Sequence, residues 1–209
     1  MMRRIVGFFC LIASLVIGHR ALAQEFSADV TSQKQNNTSV NKLYSSSNKV
    51  RLEIQTGNAM EPSALILDEA QHKYVMLMAE RHTYMDAPPV MVKPLITQFW
   101  HVQDPNDACS QWKTVAQQAG TDQNWGSCTK VGSDTVNGRD TIKYEGVSKK
   151  GEKTHAWVDT KLHCVIKTDE GSGGFELKNI QEGSQPASLF EVPSGYTKFD
   201  MGAMTNQRR

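Results

Sequence analysis

The sequence predicts an α+β domain built on a mostly antiparallel sheet, and three observations carry that prediction. Short apolar runs alternate with polar residues at period two and recur at a spacing of roughly ten residues. Turn dipeptides, Gly57-Asn58 and Asn137-Gly138, punctuate them, the second lying between two strand-like runs as a hairpin does. Helical periodicity is confined to the middle of the chain, which disfavours a doubly wound fold with a helix after each strand.

Taken in order, Phe26, Ala28 and Val30 alternate with polar neighbours, as do Val50, Leu52 and Ile54, and both stretches read as half-buried strands. The polar segment Gln33 to Ser39 reads as a loop between them. In Lys73 to Ala79, Tyr74, Met76 and Met78 project to one face while Val75, Leu77 and Ala79 project to the other, so both faces are apolar; Leu65, Ile66 and Leu67 behave alike. An antiparallel sheet normally wets one face, so something has to cover the second: the central helices or a bound apolar ligand. Met91 to Trp100 and Ala108 to Ala119 are the two helical stretches, the latter with Trp112, Val115, Ala116 and Ala119 at helical spacing. Strands return with Ile142 and Tyr144, Thr154 to Val158, His163 to Thr168, and Phe175, Leu177 and Ile180.

Arg3 and Arg4 precede an apolar run from Ile5 to Ile17, and Ala21-Leu22-Ala23 supplies the small residues a signal peptidase reads. The run is too short to cross ~30 Å of hydrocarbon at ~1.5 Å per residue. The expected organisation is therefore a signal peptide over 1–23 with cleavage before Gln24, one domain over 24–200 and a flexible tail over 201–209. No later stretch is apolar enough to span a membrane, so a periplasmic or secreted monomer is expected. The 209 residues are 39% apolar and 22% charged, which is ordinary globular composition. Twenty-three Lys and Arg stand against 22 Asp and Glu, and losing Arg3, Arg4 and Arg20 with the leader leaves 20 against 22. No positive excess remains to track a phosphate backbone, and no nucleic-acid partner is expected.

Cys109, Cys128 and Cys164 remain after the leader. In an oxidising compartment one disulfide and one odd thiol are expected. Cys109 with Cys128 is the favoured pair, because the intervening stretch, rich in Gln, Gly, Asp and Asn, can close a loop; such a crosslink contributes roughly 3 kcal/mol. Cys164 reads as a buried hydrophobe on a strand, where adjacent His163 points to the other face and cannot serve as its base. The histidines lack metal-ligand spacing, and no Gly-x-Ser-x-Gly elbow or phosphate loop occurs, so no catalytic residue, cofactor or metal is assigned. The one soft-metal constellation is Met76, Met78, His82 and Met85, whose thioethers and imidazole suit Cu(I).

Several runs together resemble a known family. Lys42-Leu43-Tyr44, Lys49-Val50-Arg51-Leu52-Glu53, Ala64-Leu65-Ile66-Leu67-Asp68 and Tyr74-Val75-Met76 are similar to the opening strands of the LolA/LolB-type periplasmic lipoprotein-carrier superfamily. Ala156 to Leu162 followed by Val165-Ile166-Lys167 is similar to its later paired strands. The ending Leu177 to Ile180 with Pro186 to Tyr196 resembles uncharacterised secreted relatives of those carriers. The Arg-Pro pair that latches the carriers' lid is missing, because the corresponding stretch reads Ser45-Ser46-Ser47-Asn48.

The resemblance implies an unclosed, curved antiparallel half-barrel with two to three short helices as a lid on its concave side, over a cavity for acyl chains or a lipidated protein. Leu65, Leu67, Tyr74, Met76 and Met78 are then the expected wall, and Trp100 and Trp112 the expected lid. The function expected is binding or carriage without chemistry. The rivals are an envelope protein with a permanently filled cavity and a periplasmic copper-binding protein.

Overall fold

Among the described residues twelve strands join in one open sheet. The structure is a computed structural model describing residues 25–34, 37–55, 62–89, 92, 102–118 and 120–199. The strands are β1 (Phe26–Lys34), β2 (Asn37–Ser46), β3 (Lys49–Glu53), β4 (Ala64–Asp68), β5 (Lys73–Met78) and β6 (Thr83–Asp86). After one helix, α1 (Ala108–Gln118), come β7 (Trp125–Val136), β8 (Arg139–Ser148), β9 (Lys153–Asp159), β10 (Val165–Asp169), β11 (Gly173–Glu182) and β12 (Thr197–Lys198). Their order in space is β12-β6-β5-β4-β3-β2-β1-β11-β10-β9-β8-β7. β1 therefore lies inside the sheet, with one antiparallel meander leaving each of its edges. Only β12, beside β6, is parallel. The two outermost strands do not meet, and the architecture is an α+β unclosed half-barrel.

The expected turn at Asn137-Gly138 has positive φ at both residues, 51° and 75°, the geometry that a two-residue hairpin needs. The polar segment Gln33 to Ser39 is corrected: β1 runs to Lys34 and β2 starts at Asn37, paired Lys34 to Asn37. A ladder satisfies backbone groups whatever the side chains, so polar tips of two strands carry no hydrophobic signal. Likewise Cys128 lies in strand β7 rather than a loop; most β7 side chains are exposed, which erases alternation. Cys164 precedes β10, and His163 before it takes a left-handed φ of 52°, so the pair forms a turn. That turn is held by buried Asp159, which accepts the N–H groups of Lys161 (2.8 Å) and Leu162 (2.7 Å) and pairs with Arg139.

The register identifies the faces. Leu177 opposes Val30, and the row Leu43, Leu52, Leu65, Met76 is paired strand to strand. This inner face forms the main core with Phe26, Leu43, Val50, Leu67 and Tyr74. At the other end, α1 covers Ile142, Tyr144, Val158 and Val165. Phe175, two residues from Leu177 on β11, packs into both clusters, so α1 lies on that same inner face. Of the other expected helix, Met91 to Trp100, only Val92 is described, and it is buried in the main core. Pro89 and Val92 are helical as well, and three short 3-10 turns lie at Ala79–Arg81, Asp122–Asn124 and Ala187–Phe190.

The second apolar face of β4 and β5 is covered by a segment near the end of the chain. Ala64, Ile66, Val75 and Leu77 pack under Phe190, with Leu189, Val192 and Tyr196 around it. This C-terminal strap is fastened by Arg51 Nη1 donating to the Leu189 carbonyl (3.1 Å), by Thr197 N–H to His82 (2.9 Å) and by Phe199 N–H to Tyr84 (2.7 Å). The leader at 1–23, Gly57-Asn58 and the tail at 201–209 lie outside the described residues.

Candidate functional site

Tyr144 anchors the start of α1. Its hydroxyl donates to the Pro105 carbonyl at 2.6 Å and accepts the Ala108 N–H at 3.2 Å, satisfying one of the helix's orphan donors. Burial pushes that hydroxyl's pKa up, although the Ala108 N–H opposes it. Trp112 meets the Tyr144 ring edge-on, centroids 5.3 Å apart. The Cys109–Cys128 disulfide, with Cα atoms 5.6 Å apart, ties the same end of α1 to β7.

Beyond that pinned end, Trp112, Val115 and Ala116 roof a cavity of about 370 Å³, mostly apolar, between α1 and strands β7 to β10. That size lies within the range of small-ligand sites. Tyr144, Gly146, Ala156 and Val165 line its sheet side. On β8 the inward positions run Ile142, Tyr144, Gly146, so glycine falls where a side chain would otherwise fill the space. A Cβ there would meet nothing nearer than the Thr154 carbonyl oxygen at 3.8 Å. Gly126 is different: its Cβ would stand 2.4 Å from the Val147 carbonyl oxygen, so it permits close approach of β7 to β8. The indole Nε1 of Trp112 is buried and has no hydrogen-bond partner.

The charged lining residues are Glu152 and Glu170, both exposed at the rim. Among the described residues neither Lys nor Arg lines the cavity. Lys143 and Lys167, on strands that form its floor, pair in register with Trp157 and point away from Tyr144 and Ala156, and each ammonium sits over the Trp157 ring, at 4.8 and 4.9 Å. Trp157 Nε1 donates to Asp134 (2.7 Å), and this bond holds the Asp134 carboxyl below its usual range.

Of the residues expected to form the site, Trp112 lines this cavity and Trp100 lies outside the described residues. Leu67 and Tyr74 are buried in the main core at the other end of the sheet, and Leu65 and Met76 pack half-buried against it. Met78 is buried at the end of β5. The structure therefore brings Leu65, Leu67, Tyr74 and Met76 together, but away from Trp112. Val115, Ala116, Gly146, Ala156 and Val165 were not foreseen; the available signal was a glycine continuing the inward series of Ile142 and Tyr144.

The soft-metal residues divide between two places. Met76 opposes Met85 across β5 and β6, whereas His82 occupies a left-handed turn with its ring 5.6 Å from that of Tyr196, in the strap. No group of three His, Cys, Asp or Glu that could hold a metal occurs among the described residues. Cys164 is fully buried, which pushes its thiol well above the usual range, and the neighbouring His163 ring is bonded through Nδ1 to the Val102 carbonyl at 3.1 Å.

No protein-family model matches the chain, and no curated protein matches it. Solved structures do. An uncharacterized conserved protein from Thermus thermophilus superposes with a TM-score of 0.53 at 10% identity, covering 85% of this chain and 91% of that one. The MucA/MucB complex of Pseudomonas aeruginosa gives 0.47 at 14% identity over 82% of this chain, which spans 56% of the chain it matches. A LolA superfamily protein from Nitrosomonas europaea gives 0.32 at 9% identity, covering 80% of this chain and 90% of that one. At such identities the likeness concerns fold alone: the chain shares the arrangement of one open, mostly antiparallel sheet with the Thermus thermophilus protein.

Proposed function

We propose that the chain is a periplasmic or secreted carrier that holds an apolar ligand, an acyl chain free or attached to a protein, and performs no chemistry on it. The observation that carries this reading is the apolar cavity under α1, left open by Gly146. Withdrawing roughly ten methylenes from water at ~0.8 kcal/mol each supplies about 8 kcal/mol before the losses of motion are subtracted. The disulfide at the helix end suits an oxidising compartment.

Uptake of a fluorescent fatty alcohol, a neutral probe, by the purified protein tests the reading. Gly146→Phe places a ring in the cavity at a position free of backbone strain, so binding is expected to be lost while the thermal midpoint is kept. Binding by the wild type that survives this change overturns the assignment to the α1 cavity. Packing of Leu67 and Tyr74 in the main core favours a second reading, an envelope interaction protein whose inner face is filled by its own side chains. Absence of uptake by the wild type supports that reading. Loss of uptake in folded Met76→Asp, with retention in Gly146→Phe, moves the site to the β4–β5 wall.

A further inference from the structure

We infer that the cavity under α1 selects an amphiphile with a cationic head, an alkyl or acyl chain ending in an ammonium group, over an anionic one. The inference rests on the carrier reading and specifies its ligand. Three aromatic side chains, Trp112, Trp125 and Tyr144, line the cavity, and the two charged groups that line it among the described residues, Glu152 and Glu170, are both carboxylates. Aromatic faces attract alkylammonium through the ring quadrupole, and carboxylates attract it through charge. The same pair repels a fatty acid's carboxylate.

Positive charge is led away from the site. Strand alternation turns Lys143 and Lys167 away from the cavity-lining Tyr144 and Ala156, and both ammonium groups are engaged by Trp157. Lys153 pairs with Glu145 at 3.2 Å. Lys149 and Lys150 belong to the turn leading to Glu152 but do not line the cavity. Glu152 is held by one neutral bond, from the Ser148 hydroxyl at 3.2 Å, so its charge is uncompensated by any cation of that lining.

Calorimetric titration at low salt with decyltrimethylammonium, decanol and decanoate, all kept below micelle formation, tests this. The cation is expected to bind on the order of tenfold tighter than the carboxylate of equal chain, with decanol between them, and the advantage to shrink as salt screens the rim. Replacing both rim residues, Glu152→Gln with Glu170→Gln, is expected to bring cation and carboxylate within about twofold while leaving decanol affinity and the thermal midpoint unchanged. Equal or tighter binding of decanoate by the wild type overturns the inference and leaves the carrier reading standing. Failure of all three probes overturns the carrier reading and this inference with it. A further arm with lysophosphatidylcholine separates two sources of the ammonium. Affinity matching the simple cation assigns a lipid headgroup; weaker binding, from the phosphate beside the carboxylates, assigns a free cationic amphiphile.

Discussion

The Tyr74 ring is buried in the main core while its hydroxyl donates to Glu69 at 2.7 Å. Burial first, then the Glu69 hydrogen bond and charge, push its ionisation up to about 12. In the unfolded chain a tyrosine ionises near ~10. The folded state thus holds the proton more tightly, and the stability this confers is full below about pH 10 and lost as pH rises toward 12. Urea midpoints measured through that interval are expected to fall for the wild type. Tyr74→Phe is expected to begin about 1 kcal/mol less stable, from the lost hydrogen bond, and to fall less steeply. That Tyr74 shares a face with Met76 and Met78 was legible from alternation in Lys73 to Ala79; which face turns inward was not, because both are apolar. Gly146 was not, because a glycine in a strand states nothing about itself; it becomes a vacancy only once Trp112 and Ala156 are known to face it.

At the scale of elements, α1 and β7 form a unit closed by Cys109–Cys128. The helix was readable from Trp112, Val115 and Ala116 at helical spacing. Of β7 only the end before Asn137-Gly138 was, through the hairpin signal; the rest of this outermost strand has both faces largely in water and no reason to alternate. The disulfide joins the roof of the cavity to one of its side walls, so it constrains the unfolded chain and the site together. Changing both cysteines to serine is expected to lower unfolding free energy by roughly 3 kcal/mol. Denaturation with and without reductant checks this: reductant should reproduce the shift in the wild type and do nothing to the double variant. Acyl-probe uptake should weaken in parallel, because α1 then keeps only its Tyr144 anchor at that end.

For the molecule as a whole, the strap at Pro186 to Phe199 decides whether the second apolar face of β4 and β5 is tolerable. That face was legible in the sequence as a problem needing a cover. The cover itself was not, because Arg51 and Leu189 are 138 residues apart and a single 3-10 turn has no period to detect. Phe190 is 7% exposed and packs at the centre of this second core. Phe190→Ala is expected to cost about 3–5 kcal/mol. Chemical denaturation measures the loss, and increased binding of an apolar dye would report the uncovered face. The inner face lies on the other side of the sheet, so acyl uptake by the folded fraction should persist.

The interior position of β1 has a further consequence, for the order of assembly. Its two neighbours are β2, which follows at once, and β11, which starts at Gly173. An early strand therefore keeps an unpaired edge until about the last sixth of the chain is being made, and pairing across such sequence distance is slow. A polypeptide wired this way stays threadable through a narrow pore for most of its synthesis, and its two arms lock together only when the trailing end arrives.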